Sequence, residues 1–115
     1  MKRKVIQLTQ FSKSIDNLLK KRQLLIEDFD LFQKDLAENP EMGDVVAGTN
    51  GIRKVRLKSS SRGKSGGFRV CYYDITQDNE IVLILIYAKN VQENLTIDQK
   101  KSLKEIVSLI RRKFK

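Results

Sequence analysis

Apolar residues recur at helical spacing in two stretches that follow a short apolar segment at residues 4–8. That segment is long enough for a first strand, and Thr9 or Ser12 is a candidate N-cap for the helix after it. The second stretch ends before Pro40, which disfavours helical geometry at the preceding residue. The pattern therefore predicts a strand and then an antiparallel helix pair that breaks near residue 22. Its apolar positions are Phe11, Ile15, Leu18, Leu19, Leu24, Leu25, Phe29, Leu31, Phe32 and Leu36.

The middle of the chain changes to a period of two, which is typical of half-buried strands. Residues 53–58 and residues 68–75 alternate between apolar and polar side chains. Residues 80–88 are apolar at nearly every position, as expected of a central strand that is covered on both faces. Residues 41–51 contain three glycines and form a predicted loop between the helix pair and these three strands.

A final helix is predicted after Thr96, because Thr96 and Gln99 have the spacing of a capping box. The element order β-α-α-β-β-β-α predicts an α+β fold with a small antiparallel sheet packed on the N-terminal helix pair, plus the C-terminal helix. A chain of 115 residues fits one such domain, residues 1–115. The apolar stripe of the last helix consists of Ile97, Leu103, Ile106, Val107 and Ile110.

The chain is strongly basic, with 23 Lys and Arg against 14 Asp and Glu, a formal net charge of +9 and a pI near 9.8. A domain with this balance is typical of proteins that bind a polyanion. Nucleic acid, an anionic membrane surface and an acidic protein all fit that description. Charge alone does not choose among them.

Histidine is absent and Cys71 is the single cysteine, which together exclude several kinds of site. His-centred acid–base catalysis, Ser-His-Asp triads, Cys/His zinc sites and disulfides within the chain cannot be built. We interpret Cys71 as a small half-buried hydrophobe, and we predict no metal and no cofactor. Because no signal peptide is recognisable and the apolar run at residues 81–87 is too short to span a bilayer, we expect a cytoplasmic protein that does not enter a membrane.

Strand alternation places one set of cations on the face opposite the predicted core. In residues 53–58 the apolar side chains take one face and most of the cations take the other, and Arg69 lies on the matching face of the next strand. Lys89 directly follows the central strand and joins this set. We therefore predict a cationic patch on rigid strands, with a basic loop beside it. The patch consists of Lys54, Arg56, Lys58, Arg69 and Lys89, and the loop at residues 59–67 adds Arg62 and Lys64.

A patch of this composition can hold a phosphate and move protons. Arginine binds phosphate as a bidentate fork, and a lysine crowded by other cations has a lowered pKa and can serve as a base. Cations also stabilise the negative charge that develops during phosphoryl transfer. These groups suffice to cleave RNA through its own 2′-hydroxyl without a metal, whereas DNA lacks that hydroxyl and would only be bound. The alternative is a solvated strand face, or a guard against pairing at a sheet edge.

Two segments carry a family resemblance: "GDVVAGTNGIRKVRLKSSSRGKSGGFRVCYYD" at residues 43–74 and "LILIYAKNVQENLT" at residues 83–96. They resemble the HigB-type toxins of the RelE/ParE superfamily of type II toxin–antitoxin modules. The resemblance implies a microbial-ribonuclease-like fold and a ribosome-dependent mRNA endoribonuclease that inhibits translation. It also implies a HigA-like helix-turn-helix antitoxin, in a toxin–antitoxin heterotetramer that binds its own operator through the antitoxin.

The resemblance also implies which residues act. It makes Lys54, Arg56, Arg69 and Lys89 the catalytic residues, and we assign RNA binding to Lys58, Arg62, Lys64 and Tyr73. The sequence departs from the best-studied RelE pattern, because Asn90 follows Lys89 where that pattern has an arginine, and no tyrosine follows in residues 91–96. Tyr72 and Tyr73 are candidate substitutes for that tyrosine, although Tyr72 has the parity of the core.

Two other functions compete with mRNA cleavage. A ParE-like toxin of the same fold would poison DNA gyrase by protein contact and cut nothing. The basic strand speaks against this alternative, because ParE-type toxins generally lack the full set of catalytic-site cations. A non-enzymatic remnant that binds only RNA or an antitoxin is the third possibility.

Overall fold

The computed structural model describes residues 2–60 and 67–113, and within these ranges it contains five strands and three α-helices. The α+β class, the N-terminal helix pair and the C-terminal helix are as predicted. An additional short strand lies inside the predicted loop at residues 41–51. The strands are β1 (Lys4–Gln7), β2 (Asp44–Val45), β3 (Arg53–Leu57), β4 (Phe68–Ile75) and β5 (Glu80–Ala88), and the helices are α1 (Thr9–Lys20), α2 (Ile26–Glu38) and α3 (Ile97–Lys113).

The sheet has the strand order β1-β5-β4-β3-β2 and is mixed, which corrects the prediction of an antiparallel sheet. The pairs β2–β3, β3–β4 and β4–β5 are antiparallel, whereas β1 runs parallel to β5. Hydrogen bonds at the turn between β4 and β5 set this direction. The guanidinium of Arg3 donates to Asp74 at 2.8 Å and to Asn79 at 2.7 Å, and the Lys4 amide donates to the Asn79 carbonyl at 2.9 Å. These bonds hold β1 beside the first residue of β5, so both strands start at the same end of the sheet.

Each face of the sheet carries its own apolar core. The helix pair α1 and α2 covers one face, where Phe11 of α1 and Phe29 of α2 lie with their ring centroids 6.3 Å apart. The helix α3 covers the other face through Leu103 and Val107. The strand β5 contributes to both cores, which explains its apolar character at nearly every position. No helix in the described ranges is long and apolar enough to cross a membrane.

The ends of two helices test the capping predictions. The predicted capping box at α3 is confirmed, since the Gln99 amide donates to Thr96 Oγ1 at 3.1 Å and the Thr96 amide donates to Gln99 Oε1 at 3.0 Å. The predicted N-caps of α1 are wrong, because Leu8 occupies that position without a side-chain hydrogen bond. Ser12 lies inside α1, and its hydroxyl donates to Gln7 Oε1 at 2.9 Å instead.

A close approach of backbone at Gly43 fixes the segment that leads from α2 to β2. The Gly43 amide donates to the Tyr72 hydroxyl at 3.0 Å, that hydroxyl donates to the Pro40 carbonyl at 2.8 Å, and Arg53 donates to the Gly43 carbonyl at 2.7 Å. A Cβ atom on Gly43 would lie 2.9 Å from the Lys54 carbonyl oxygen and from two atoms of the Tyr72 ring system. The segment therefore has no room for a larger residue.

Gly43→Ala is accordingly expected to lower the free energy of unfolding by about 2 kcal/mol, because the backbone of β3 would have to shift to relieve the overlap. For a domain of this size the loss corresponds to a fall in Tm of roughly 5–10 °C, which thermal unfolding followed by circular dichroism measures. Val45→Ala is the control, since Val45 is more than half exposed and lies on the adjacent short strand. Equal Tm values for the two variants would contradict this account of Gly43.

Candidate functional site

Two cations of β3, Lys54 and Arg56, and Arg69 of β4 lie on the face of the sheet that α3 partly covers. Arg56 is directly opposite Arg69, and Lys54 is directly opposite Cys71, which belongs to the core under α3. Strand alternation therefore places Lys54, Arg56 and Arg69 on one face, as expected from the sequence. Arg56 is exposed, and the other two cations are half-exposed. We call this surface, with Lys89, the basic face.

The pair Arg56–Arg69 is electrostatically unfavourable by itself. Residues directly opposite each other in antiparallel strands have Cα atoms about 4.5–5.5 Å apart, and like charges in that position destabilise a sheet. In residues 2–60 and 67–113 the ion pairs join Lys2 to Glu38 and Arg3 to Asp74, so no carboxylate within 4.0 Å neutralises either arginine there. An anion held between the two guanidinium groups would relieve the repulsion.

Gly67 connects the basic face to the end of β5. Its carbonyl accepts a hydrogen bond of 3.2 Å from the Lys89 amide, which places Lys89 next to the first residues of β4. A Cβ atom on Gly67 would lie 3.8 Å from the Arg56 Nε atom, and its φ of +139° is rarely adopted by other residues. Arg56, Arg69 and the exposed Lys89 therefore meet at one end of the sheet.

Lys58 and the Ser59–Ser60 segment extend this surface toward α2. Lys58 lies directly after β3 and lines a groove together with Arg56, Asp28 and Asp35. The Ser60 amide and hydroxyl donate to the Asp28 carboxylate at 2.8 and 3.0 Å, so the segment after Lys58 is anchored on the first turn of α2. The remaining predicted RNA-binding cations, Arg62 and Lys64, lie outside the described residues.

Tyr73 lies on the same face of β4 but four residues from Arg69, which is about 13 Å along a strand. Its hydroxyl accepts a hydrogen bond of 3.3 Å from Arg111 of α3, and the same guanidinium donates to the Asn50 carbonyl at 2.9 Å. The half-buried Tyr73 ring also packs near Gly51, where an added Cβ atom would lie 3.3 Å from it. These contacts fasten α3 to the sheet. The predicted contact of Tyr73 with RNA stays a prediction.

Cys71 lies below the basic face and is inert. Its side chain is fully buried, and burial raises the pKa of the thiol to about 12, although nearby Lys54 lowers it slightly. The sulfur therefore stays protonated at neutral pH and cannot act as a nucleophile. This agrees with the interpretation of Cys71 as a buried hydrophobe, and it leaves the chemistry of this surface to its cations.

A tyrosine that sequence reasoning missed lies opposite Arg69. Tyr87 of β5 pairs with Arg69, because a β-bulge next to Cys71 and Tyr72 inserts one extra residue, Ile84, into β5. Simple alternation from Ile81 would instead have placed Tyr87 in the core under α1 and α2. Only the register of the folded sheet reveals its position.

The site as a whole is suited to an anionic, phosphate-containing ligand. Its rigid strands present adjacent guanidinium groups and lysines, and like charge of this density favours phosphate. Within the part of the chain that the structure describes, no three His, Cys, Asp or Glu side chains come together as metal ligands. The basic face itself offers Lys and Arg side chains, and the carboxylates of Asp28 and Asp35 lie in the adjoining groove.

Comparisons with known proteins agree on one family and one fold. The family model "RelE toxin of RelE / RelB toxin-antitoxin system" matches residues 13–113. Among solved structures, a free-state structure of an E. coli toxin RelE mutant, with two arginines changed to alanine, matches with a TM-score of 0.60 and 18% sequence identity. The match covers 81% of this chain and 90% of that chain. At this identity the likeness concerns the fold.

Proposed function

We propose that this chain, which belongs to the RelE toxin family, is an endoribonuclease that cuts mRNA on the ribosome and thereby stops translation. The family model matches residues 13–113 of the 115 residues in the chain. The observation that carries this proposal is the Arg56–Arg69 pair, which lies on a rigid sheet with Lys54 and Lys89 nearby. An uncompensated cationic pair of this kind binds a phosphate diester. The protein acts in the cytoplasm, where its substrate is.

The proposed roles follow from the chemistry of the side chains. Arg56 and Arg69 clamp the non-bridging oxygens of the scissile phosphate from two strands and stabilise the charge that develops on them. Lys54 and Lys89 flank the clamp and exchange protons with the reacting oxygens. Lys58, Arg62, Lys64 and Tyr73 are proposed to contact the RNA on either side of the scissile phosphate.

The reaction needs no external nucleophile. The 2′-oxygen forms a bond to phosphorus and loses its proton to a base, and the bond from phosphorus to the 5′-oxygen breaks. The departing 5′-oxygen takes up a proton, so the products are a 2′,3′-cyclic phosphate and a 5′-hydroxyl. Each of these steps uses only groups of the substrate and cations of the basic face.

The family implies an antitoxin partner, and we propose that it is HigA-like, with a helix-turn-helix domain. The basic face offers such a partner an electrostatic docking site, so an acidic segment laid across Arg56 and Arg69 would exclude mRNA from it. We propose that the complex is a heterotetramer that binds its operator through the antitoxin. A helix-turn-helix gene beside the toxin gene is the first observation that would support this partner.

A translation extract tests the proposed activity. Purified toxin is added to an extract with a defined message, and primer extension maps the 5′ ends that form. New 5′ ends inside the reading frame are expected within minutes, and gyrase-dependent DNA breaks are not. Arrest of translation with an intact message would contradict the proposal, and DNA breaks would favour the ParE-like alternative.

Binding to the ribosome is expected to weaken steeply with salt, because each phosphate contact releases counterions. Four contacts predict a loss of about 50-fold in affinity between 50 and 200 mM salt, measured by co-sedimentation with ribosomes. Lys54→Ala should lower the slope of this dependence by about one contact. A flat response to salt would point to a protein target and would contradict binding through the basic face.

A further inference from the structure

Tyr87 carries a buried hydroxyl group that has no hydrogen-bond partner among the described residues. The side chain is only 8% exposed, so bulk water does not solvate the hydroxyl. Buried polar groups are almost always paired, and an unpaired one costs folding free energy that phenylalanine at the same position would avoid. The unpaired hydroxyl is explained if it forms a hydrogen bond when a ligand is bound.

The surroundings of Tyr87 indicate what that role is. Its ring lies in the core under α3, and its cross-strand neighbour is Arg69 of the basic face. Burial and the nearby Cys71 raise the pKa of the Tyr87 hydroxyl, while Arg69 lowers it. The phenol is therefore neutral at physiological pH, and its oxygen can accept a hydrogen bond from a cation.

Arg69 is loosely held in the resting structure. Its Nη1 atom donates to the carbonyl of the preceding residue, Phe68, at 3.3 Å, which is at the long end of the range for such bonds. The guanidinium can therefore rotate at little cost. A rotated guanidinium has five N–H donors, enough to bind a phosphate and a phenol oxygen at the same time.

We propose that Tyr87 is a positioning residue whose hydroxyl oxygen accepts a hydrogen bond from the Arg69 guanidinium when a phosphate diester binds the basic face. The bond holds the plane of the guanidinium toward the scissile phosphate, and it satisfies the hydroxyl only in the bound state. The inference rests on the proposed ribonuclease function and deepens it. The buried ring of Tyr87 is not available to stack on a base, so the proposed role is distinct from base stacking.

Single-turnover cleavage of message on programmed ribosomes tests the proposal with Tyr87→Phe. We expect the cleavage rate at saturating toxin to fall about tenfold, with the half-saturating concentration unchanged within about twofold, because one hydrogen bond from the Arg69 guanidinium to the phenol oxygen is lost in the reacting complex. Tm should stay the same or rise, because an unsatisfied hydroxyl is removed. Tyr72→Phe is the matched control, because the Tyr72 hydroxyl is hydrogen-bonded to Gly43 and Pro40. Its removal should lower Tm, whereas the folded variant should keep the wild-type cleavage rate.

A double-mutant cycle asks whether Tyr87 acts through Arg69. The Arg69→Lys background keeps the positive charge but removes the bidentate guanidinium group. In that background, Tyr87→Phe should change the residual cleavage rate by less than about twofold. An equal tenfold loss in both backgrounds would overturn the proposal, as would wild-type cleavage by Tyr87→Phe. A fall in Tm that accounts for its lost activity would also overturn it. An inactive wild-type toxin would instead refute the proposed function, which is a different result.

Discussion

Arg69→Ala is expected to lower cleavage of message on the ribosome by at least about a hundredfold and to abolish growth arrest, with the fold retained. Arg69 faces Arg56 directly across β3 and β4, so its removal leaves one guanidinium to hold the scissile phosphate. Loss of a preorganised donor to a developing oxyanion typically costs two to three orders of magnitude in rate. The half-exposed side chain contributes little to packing, and the free energy of unfolding should change by less than about 1 kcal/mol.

The measurement compares variants at equal expression, with Tm as the check on folding. Arg112→Ala is the matched control, because Arg112 is exposed in the last turn of α3 and lies outside the basic face. Lys54→Ala should also abolish growth arrest, and Lys34→Ala on α2 is its control. Full toxicity of Arg69→Ala or Lys54→Ala, with the protein present and folded, would show that the active face is assigned to the wrong residues.

Cleavage is expected to be at least about a thousandfold faster on the ribosome than on the same RNA free in solution. General acid–base catalysis works best with a group whose pKa lies near the working pH, and the chain has no histidine to supply one. The basic face alone is therefore a weak catalyst. Alignment of the 2′-hydroxyl for in-line attack can contribute roughly 7–11 kcal/mol, and the decoding site can supply it by holding the message in a fixed path.

The comparison uses one RNA in two states, bound to programmed ribosomes and free, at the same toxin concentration and ionic strength. The Arg69→Ala toxin gives the background in each state, so that contaminating nucleases are subtracted. The difference between wild type and variant should be large on ribosomes and close to zero on free RNA. Turnover of free RNA at rates typical of enzymes would contradict the need for alignment.

The sequence predicted the basic face because strand alternation depends only on neighbouring residues. The alternation in residues 53–58 and 68–75 assigns each side chain to a face without knowledge of the fold, and Arg56 and Arg69 meet as that parity requires. Gly67 and Lys89 join at the same end because β4 and β5 are adjacent and antiparallel. The helix pair followed in the same way from helical spacing of apolar residues and from the stop before Pro40.

What the sequence could not show depends on contacts between distant segments. The parallel pairing of β1 with β5 depends on Arg3, whose partners Asp74 and Asn79 lie more than 70 positions away. The bulge at Ile84 reverses the parity of the second half of β5, and no local pattern marks it because every nearby residue is apolar. Tyr87 was therefore overlooked, although it lies beside Arg69.

One measurement tests the central claim most directly: cleavage of a message that lacks a single 2′-hydroxyl. The cut position is first mapped with wild-type toxin on programmed ribosomes, and the message is then remade with a 2′-deoxynucleotide on the 5′ side of that bond. We expect cleavage at this position to be lost while toxin still co-sediments with the ribosome, and the unmodified message to yield a 5′-hydroxyl end. Cleavage of the deoxy-substituted message at an undiminished rate would contradict the claim.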